Sequence, residues 1–304
     1  MPVSADLFNI VRGSMHDGPG IRTVLYFRGC NLRCQWCHNP EGFTSAPKVS
    51  VYPEKCIGCG QCLSVCPEHH VLSDTGKRYI AEGCSGCGRC AASCPAQALQ
   101  MTSRMYALDE VMHIIQKDKH YYAKTGGGIT LSGGECLLQE AFVSALGARC
   151  QEEGIHVLVE TSAHVPKEHL ISSLPFVGCY YVDVKLMDAA EHRRYTGRDN
   201  HVILDNINML ASMNAKMLLR TPLIPSVNDA YENLIHTARF ALSLAPAVEG
   251  YCLLKYNPLG QSKYSRLGMN HAHFGSNPQS DDTMETICTS LNRDIGEKSF
   301  VTYL

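Results

Sequence analysis

Sixteen of the 304 residues are cysteine, and eleven of them fall into three tight groups. The first is Cys30-x3-Cys34-x2-Cys37. The second is Cys56-x2-Cys59-x2-Cys62-x3-Cys66-Pro67, and it recurs 28 positions on as Cys84-x2-Cys87-x2-Cys90-x3-Cys94-Pro95. Thiolates spaced this closely wrap metal ions or iron–sulfur clusters. A disulfide framework belongs to short secreted chains. Here Met1 to Val11 contains Asp6 and no basic stretch leading into an apolar run, so the expected setting is a reducing cytoplasm. The other five cysteines, Cys136, Cys150, Cys179, Cys252 and Cys288, are scattered singly and read as small buried hydrophobes.

The second and third groups match the C-x2-C-x2-C-x3-C-P run of bacterial two-cluster ferredoxins, in which the fourth cysteine of each run ligates the other cluster. That resemblance implies one [4Fe–4S] cluster on Cys56, Cys59, Cys62 and Cys94, and another on Cys84, Cys87, Cys90 and Cys66. Structural zinc also takes C-x2-C pairs, but it does not explain four cysteines before a proline, twice. The repeat bounds an inserted ferredoxin-like domain over 46–101, within a larger domain made of 1–45 and 102–304.

The first group sits differently. Arg22 to Phe27 (RTVLYF) is β-branched and aromatic and reads as a buried strand, with the three cysteines in the loop after it. Three thiolates leave one iron of a [4Fe–4S] cluster without a protein ligand, and an open position is where a metal centre binds substrate. The alternative is a third ferredoxin-like cluster that borrows one scattered cysteine.

With Trp36 before its third cysteine, the first group resembles the radical S-adenosylmethionine (SAM) signature. The segments HDGPGIR (16–22), FRGC (27–30), CHNPE (37–41) and GGGITLSGGE (126–135) narrow the resemblance to the glycyl-radical enzyme activating enzymes, in the branch with a ferredoxin-like insert. The likeness runs from about Leu7 to Tyr264. It implies an α/β fold, a partial (β/α)6 radical-SAM barrel, and SAM chelated to the open iron of the Cys30/Cys34/Cys37 cluster. One electron would then cleave the sulfonium, and the 5′-deoxyadenosyl radical would take a hydrogen from a glycine of a partner glycyl-radical enzyme. The cofactor does the hard chemistry and the protein orients it. Flavodoxin or ferredoxin is the expected donor, with the insert clusters either relaying the electron or shaping the docking face.

Six strand–helix units are expected: strands at Arg22–Phe27, Ile129–Leu131, His156–Thr161, Tyr180–Lys185, Met217–Leu219 and Tyr251–Leu254, with helices over Leu108–Ala123, Leu138–Glu153, Asn200–Met213 and Tyr231–Leu244 between them. Alternation implies a parallel sheet covered by helices, and periodicity does not separate a barrel from a doubly wound sheet. In both, ligands collect at the carboxyl ends of the strands.

The candidate residues stand there. Gly133-Gly134-Glu135 would offer a backbone carbonyl to the SAM amino group, or be a plain turn. Glu160, the Asp183-Val184-Lys185 segment and Arg220 would bracket a zwitterionic ligand, or form structural salt bridges. By resemblance Trp36 and His38 flank the SAM cluster, Lys185 joins the three cysteines in the catalytic set, and a monovalent cation beside the acidic pair is a further expectation. The family's Tyr-His is here Tyr256-Asn257, whose amide can hydrogen-bond the nucleoside but cannot titrate. Asp17 is either a turn former or a contact to the partner's glycine loop. Arg193, Arg194 and Arg198 read as a solvated helix end or a docking surface. His69-His70 and His271-x-His273 are left without a metal.

Lys plus Arg number 27 against 29 Asp plus Glu, so no basic field gathers nucleic acid. No run approaches the roughly 20 apolar residues that span a bilayer, and a monomer is expected. Two other readings compete: a different radical SAM enzyme acting on a peptide or small molecule, and a non-catalytic electron carrier. No G-x4-G-K-[ST] nucleotide site occurs.

Overall fold

The computed structural model describes residues 3–43, 48–67, 71–74, 77–80, 83–275 and 277–304. The expected start of the insert at 46 and the His69-His70 pair lie outside these.

The chain begins with β1 (Ser4–Ser14), which turns back into β2 (Arg22–Phe27). Then come four short strands, β3 (Val49–Val51), β4 (Val71–Asp74), β5 (Lys77–Ile80) and β6 (Leu99–Met101). Beyond them lie β7 (Arg104–Ala107), β8 (Gly128–Gly133), β9 (His156–Thr161), β10 (Val177–Asp183), β11 (Met217–Pro222), β12 (Val248–Leu254) and β13 (Val301–Tyr303). Nine of them form one sheet in the order β13-β12-β11-β10-β9-β8-β2-β1-β7. From β2 to β13 every neighbour is parallel, whereas β1 pairs antiparallel with both β2 and β7. Each parallel strand is laid beside its predecessor on the same side. The order never reverses as it does in a doubly wound sheet, and this α/β arrangement is that of an open, partial barrel.

Side chains alternate across the sheet. One set, including Leu25, Phe27, Ile129, Leu131, Val157, Val159, Val182, Leu219 and Leu253, packs in the main core under helices such as Glu140–Glu152, His201–Ser212 and Tyr231–Ser243. The other set is largely polar: Arg22, Thr130, Ser132, Glu160, Asp183 and Arg220 hydrogen-bond among themselves or to neighbouring backbone on the concave face.

Residues after the first cysteine loop make a smaller unit. β3 pairs with β6 and β4 with β5. Val49, Val51, Cys62, Cys66, Val71, Cys90 and Leu99 form its own core. Its neck is closed by two hydrogen bonds, Thr102 N–H to the Lys48 carbonyl (2.9 Å) and Lys48 N–H to Thr102 Oγ1 (3.0 Å).

Several elements go beyond the sequence expectation. β1 was not expected, because only Ala5, Asp6 and Leu7 are buried and its outer half lies at the solvent-exposed edge, so its alternation is weak. The helix expected over Leu108–Ala123 is two, Leu108–Gln116 and Lys119–Thr125, broken where Asp118 turns to bind Arg12 and Thr23. The last forty residues hold a helix, Asp281–Ile295, which is capped by the Ser280 hydroxyl and buries Met284, Cys288 and Leu291. The seventh parallel strand, β13, follows it.

Candidate active site at the strand ends

β2 delivers the chain to Arg28-Gly29 and the three cysteines. Here β8 approaches very closely: Gly134 N–H donates to the Phe27 carbonyl (2.8 Å) and Glu135 N–H to the Gly29 carbonyl (2.7 Å). A Cβ on Gly134 would stand 2.3 Å from Gly29 O, and one on Gly133 would stand 2.4 Å from Phe27 N at a φ of +110°. Only glycine fits either place. The Glu135 side chain is fully buried, and its carboxylate accepts from Thr161 Oγ1 (2.8 and 2.9 Å), Ser162 N–H (3.0 Å) and Ser162 Oγ (2.8 Å). Burial pushes its pKa up against these bonds. With its carboxylate engaged this way, Glu135 locks the cysteine loop to the end of β9, and what it offers a ligand is backbone.

Cys34 packs in one buried cluster with Leu32, Trp36, Leu186, Ile224 and Tyr256, and Cys30 and Cys37 pack against it. Tyr195 and Phe274 pack on Trp36 with ring centroids 6.2 and 6.1 Å away. Burial raises all three thiol pKa values, that of Cys30 to about 12. Asn39 N–H donates to Cys37 Sγ (3.4 Å), and Tyr264 Oη donates to the Cys37 carbonyl (3.1 Å).

Across the strand ends lies a chain of charges. Arg220 Nη1 binds Glu160 Oε1 (2.6 Å) and its Nε binds Asp183 Oδ1 (3.0 Å), while Lys185 Nζ binds Asp183 Oδ2 (3.1 Å). Ser132 Oγ holds the other Glu160 oxygen (2.6 Å), and Arg220 lies over the Tyr181 ring. Arg220 and Lys185 are each 9% exposed. Burial opposes the Lys185 charge, but Asp183 and the Cys34 and Cys37 sulfurs outweigh it and raise its pKa. Burial likewise opposes ionisation of Asp183, and Lys185 with Arg220 brings its pKa down. Asp183, Lys185 and Arg220 therefore each hold their charge through their neighbours against the cost of burial.

The remaining candidates divide. Val184 is buried, and its N–H donates to the Arg220 carbonyl (2.9 Å). His38 and Asn257 are exposed at the rim and hydrogen-bonded to each other, with burial lowering the His38 pKa. Asn257 Oδ1 also caps its own turn by accepting from Leu259 N–H (3.0 Å). Asp17 stands at the opposite end of β2 from the cysteines, a strand of about 17 Å. Its carbonyl accepts from Thr130 Oγ1 (2.7 Å) and its carboxylate from Ser14 Oγ. Burial pushes the Tyr26 pKa up to about 12, and Thr130, on the concave face, holds the 17–20 turn there through the Asp17 carbonyl.

Sequence reasoning missed Leu32, Leu186, Ile224 and Phe274, which wall the cysteine pocket. Phe274 lies in a stretch with neither helix nor strand, where periodicity gives no signal. Asn228, also missed, holds the Lys185 and Pro222 carbonyls and the Ile224 N–H. Of the scattered cysteines, Cys136, Cys150, Cys252 and Cys288 are buried and Cys179 is half-buried. His271 packs its ring on Tyr264, with centroids 4.5 Å apart.

Comparison with known proteins bears on this arrangement. A family model described as a 4Fe-4S single cluster domain matches residues 16–203. The chain is 41% identical to the (2S)-3-sulfopropanediol dehydratase activating enzyme of Klebsiella oxytoca, over 86% of this chain and 85% of that one. It is 36% identical to the choline trimethylamine-lyase activating enzyme of Oleidesulfovibrio alaskensis, over 92% and 93%. The chain belongs to the glycyl-radical enzyme activating enzymes. As a member of that family it is a radical SAM oxidoreductase. SuiB of Streptococcus suis bound to its precursor peptide superposes with a TM-score of 0.56 over 92% of this activating enzyme and 48% of its own chain. At 11% identity that match speaks for the fold alone.

The donor set fits the cofactors that the family implies. Three soft thiols on one loop, braced by Asn39 N–H, suit an iron–sulfur cluster better than a harder ion. In the smaller unit, one cavity is lined by Cys56, Cys59, Cys62 and Cys94, and a second by Cys66, Cys84, Cys87 and Cys90. Each combines three cysteines of one run with the fourth of the other.

Proposed function

We propose that this activating enzyme holds a [4Fe–4S] cluster on Cys30, Cys34 and Cys37, cleaves SAM reductively there, and takes a hydrogen from a backbone glycine of a partner glycyl-radical enzyme. The observation that carries this reading is the junction of two features at one strand end. A three-thiol loop with no fourth cysteine in its cluster lies against a buried chain of balanced charges.

When bound, the cluster and SAM supply a one-electron cleavage and an organic radical. The chain's own groups orient the ligand. Lys185 and Arg220 suit the SAM carboxylate, and the Gly133-Gly134 backbone its ammonium. Glu160 and Asp183 suit the positive sulfonium side, with a monovalent cation as a further occupant. Trp36, Leu186, Ile224 and Tyr256 keep water from the reacting centre. Asp17 and its turn, on the concave face, form the receiving surface for the glycine loop. Residues 46–101 form the ferredoxin-like insert, with clusters on Cys56/Cys59/Cys62/Cys94 and Cys84/Cys87/Cys90/Cys66. The protein acts as a monomer in an anaerobic cytoplasm; among the described residues no helix is long and apolar enough to cross a membrane.

The test is anaerobic. Reconstituted protein, dithionite and SAM are incubated, and 5′-deoxyadenosine is measured beside a Cys34→Ala control. Product that vanishes in the control is expected. No product from fully iron-loaded protein would sink the catalytic reading and favour an electron carrier.

A further inference from the structure

The segment that follows β12 crosses directly over the end of the three-cysteine loop. A Cβ on Gly260 would stand 2.9 Å from His38 Cδ2 and 3.1 Å from His38 Cα, so a glycine at this position lets the two backbones pass closely. The short helix Gln261–Arg266 starts at this crossing and sets two neighbouring side chains on the 37–41 turn. Tyr264 Oη donates to the Cys37 carbonyl (3.1 Å), and Lys263 Nζ donates to Asn39 Oδ1 (2.9 Å). Lys263 also meets Glu41 at 3.2 Å. Tyr264 is buried, with its ring edge-on to Phe43 and to His271, centroids 6.4 and 4.5 Å away. A buried tyrosine needs a partner for its hydroxyl, and here that partner is the backbone of Cys37.

The turn held in this way carries a hydrogen bond to sulfur. Asn39 N–H donates to Cys37 Sγ at 3.4 Å, within the span fixed at Cys37 by Tyr264 and at Asn39 by Lys263. The Lys263 charge is balanced by Glu41, so the pair adds little net field. What remains is the aim of two dipoles, one N–H and one O–H, whose hydrogen ends both point at Cys37. An added electron makes the sulfurs of an iron–sulfur cluster more negative, and donors aimed at them favour the reduced state. A packing role would need only the Tyr264 ring; the hydroxyl and the neighbouring ammonium act on the turn itself.

We propose that Tyr264 and Lys263 are positioning residues for the cluster on Cys30, Cys34 and Cys37: they hold the 37–41 turn so that Asn39 N–H stays on Cys37 Sγ, and this makes the cluster easier to reduce. The inference rests on the function proposed above, which assigns a cluster to these cysteines. One electron passes from an outside reductant, dithionite in the test below, to the cluster, and no bond or group is transferred. The two residues set the potential at which that electron is accepted. Arg266, on the same helix, is the natural control, because its guanidinium lies 4.8 Å over the Tyr52 ring of the smaller unit.

The experiment is an anaerobic redox titration of the reconstituted holoenzyme, followed by electron paramagnetic resonance with and without SAM. A cluster with an open iron is the one whose signal changes when SAM is added, which separates it from clusters with four cysteine ligands. Tyr264→Phe keeps the ring and removes the donor. Its reduction equilibrium should fall roughly three- to tenfold, a drop of about 28 to 59 mV for one electron. The Lys263→Met/Glu41→Gln double variant, which keeps the charge balance, should shift the same way. Arg266→Met should stay within about twofold of wild type. An unchanged or raised potential in iron-replete Tyr264→Phe would overturn the proposal, as would an equal fall in Arg266→Met. If Tyr264→Phe loses iron, the same outcome in the double variant overturns it. If wild type with full iron shows no SAM-sensitive signal, the underlying function fails; if it shows one and the potentials do not move, only the positioning role fails.

Discussion

Lys185 is the residue on which the charge chain and the cysteine pocket meet. Its ammonium is bound to Asp183 and lies within the field of the Cys34 and Cys37 sulfurs. On the proposed function, Lys185→Met removes the ammonium that would meet the SAM carboxylate, a charged hydrogen bond worth about 1.5 to 3 kcal/mol. SAM should then bind roughly 10- to 150-fold more weakly, checked by equilibrium binding on protein whose iron content matches wild type. A second residue makes a pH prediction. His192 is fully buried; its Nδ1 lies 2.5 Å from the Arg198 carbonyl, and burial, with help from Lys185 and His164, lowers its pKa. The unfolded chain protonates this imidazole near pH 6.5, the folded protein only at lower pH. Unfolding therefore takes up a proton as pH falls. The His192 contribution is complete above about pH 6.5 and declines below it, with a slope of at most about 1.4 kcal/mol per pH unit. Thermal melts at pH 7.5, 6.5 and 5.5 should show the decline, and His192→Gln should flatten it.

At the scale of elements, the contact between the β8 end and the cysteine loop makes a sharp prediction. A Cβ at position 134 collides with Gly29 O, so Gly134→Ala must push the loop outward. If the three proposed clusters are present, iron should then fall from about twelve atoms per chain toward about eight, while the insert's visible absorbance persists. Iron at the wild-type level in Gly134→Ala would count against this close approach. The parallel strands could be read from the sequence because RTVLYF and HVLVET carry β-branched and aromatic runs; all six expected strands are present, although the one expected over Tyr180–Lys185 runs from Val177 to Asp183 and leaves Lys185 in the loop after it. The order in which they pair could not, since periodicity carries no lateral information. β1 escaped because its outer half faces solvent, whereas Asp281–Ile295 carried readable signals in Ser280, the Met284/Cys288/Leu291 spacing and Gly296. In the site, the cysteines and the strand-end charges stood out by type and position. That Glu135 spends its carboxylate on Thr161 and Ser162 depends on which way a side chain turns after a glycine pair, and no spacing rule reports it.

Across the whole molecule, two units share one chain without sharing a core. The larger packs its apolar side chains behind the sheet, and the smaller packs around Val49, Val51 and Leu99. The chain crosses between them at the neck, where Lys48 and Thr102 hydrogen-bond to each other. A segment whose two ends already touch can be excised almost like a cassette, because rejoining them asks for little new loop-closure entropy. A shortened chain in which a tight glycine-containing turn links Lys48 to Thr102 should keep the sheet and the three-cysteine loop. Circular dichroism should report the retained α/β content, and iron should drop to about four atoms per chain. Such a trimmed protein would show the spectrum of the cluster proposed on Cys30, Cys34 and Cys37 free of overlapping signals. The neck is thus also a grafting point, through which a cysteine-rich module can be joined to a strand-end site while the sheet that supports the site stays as it is.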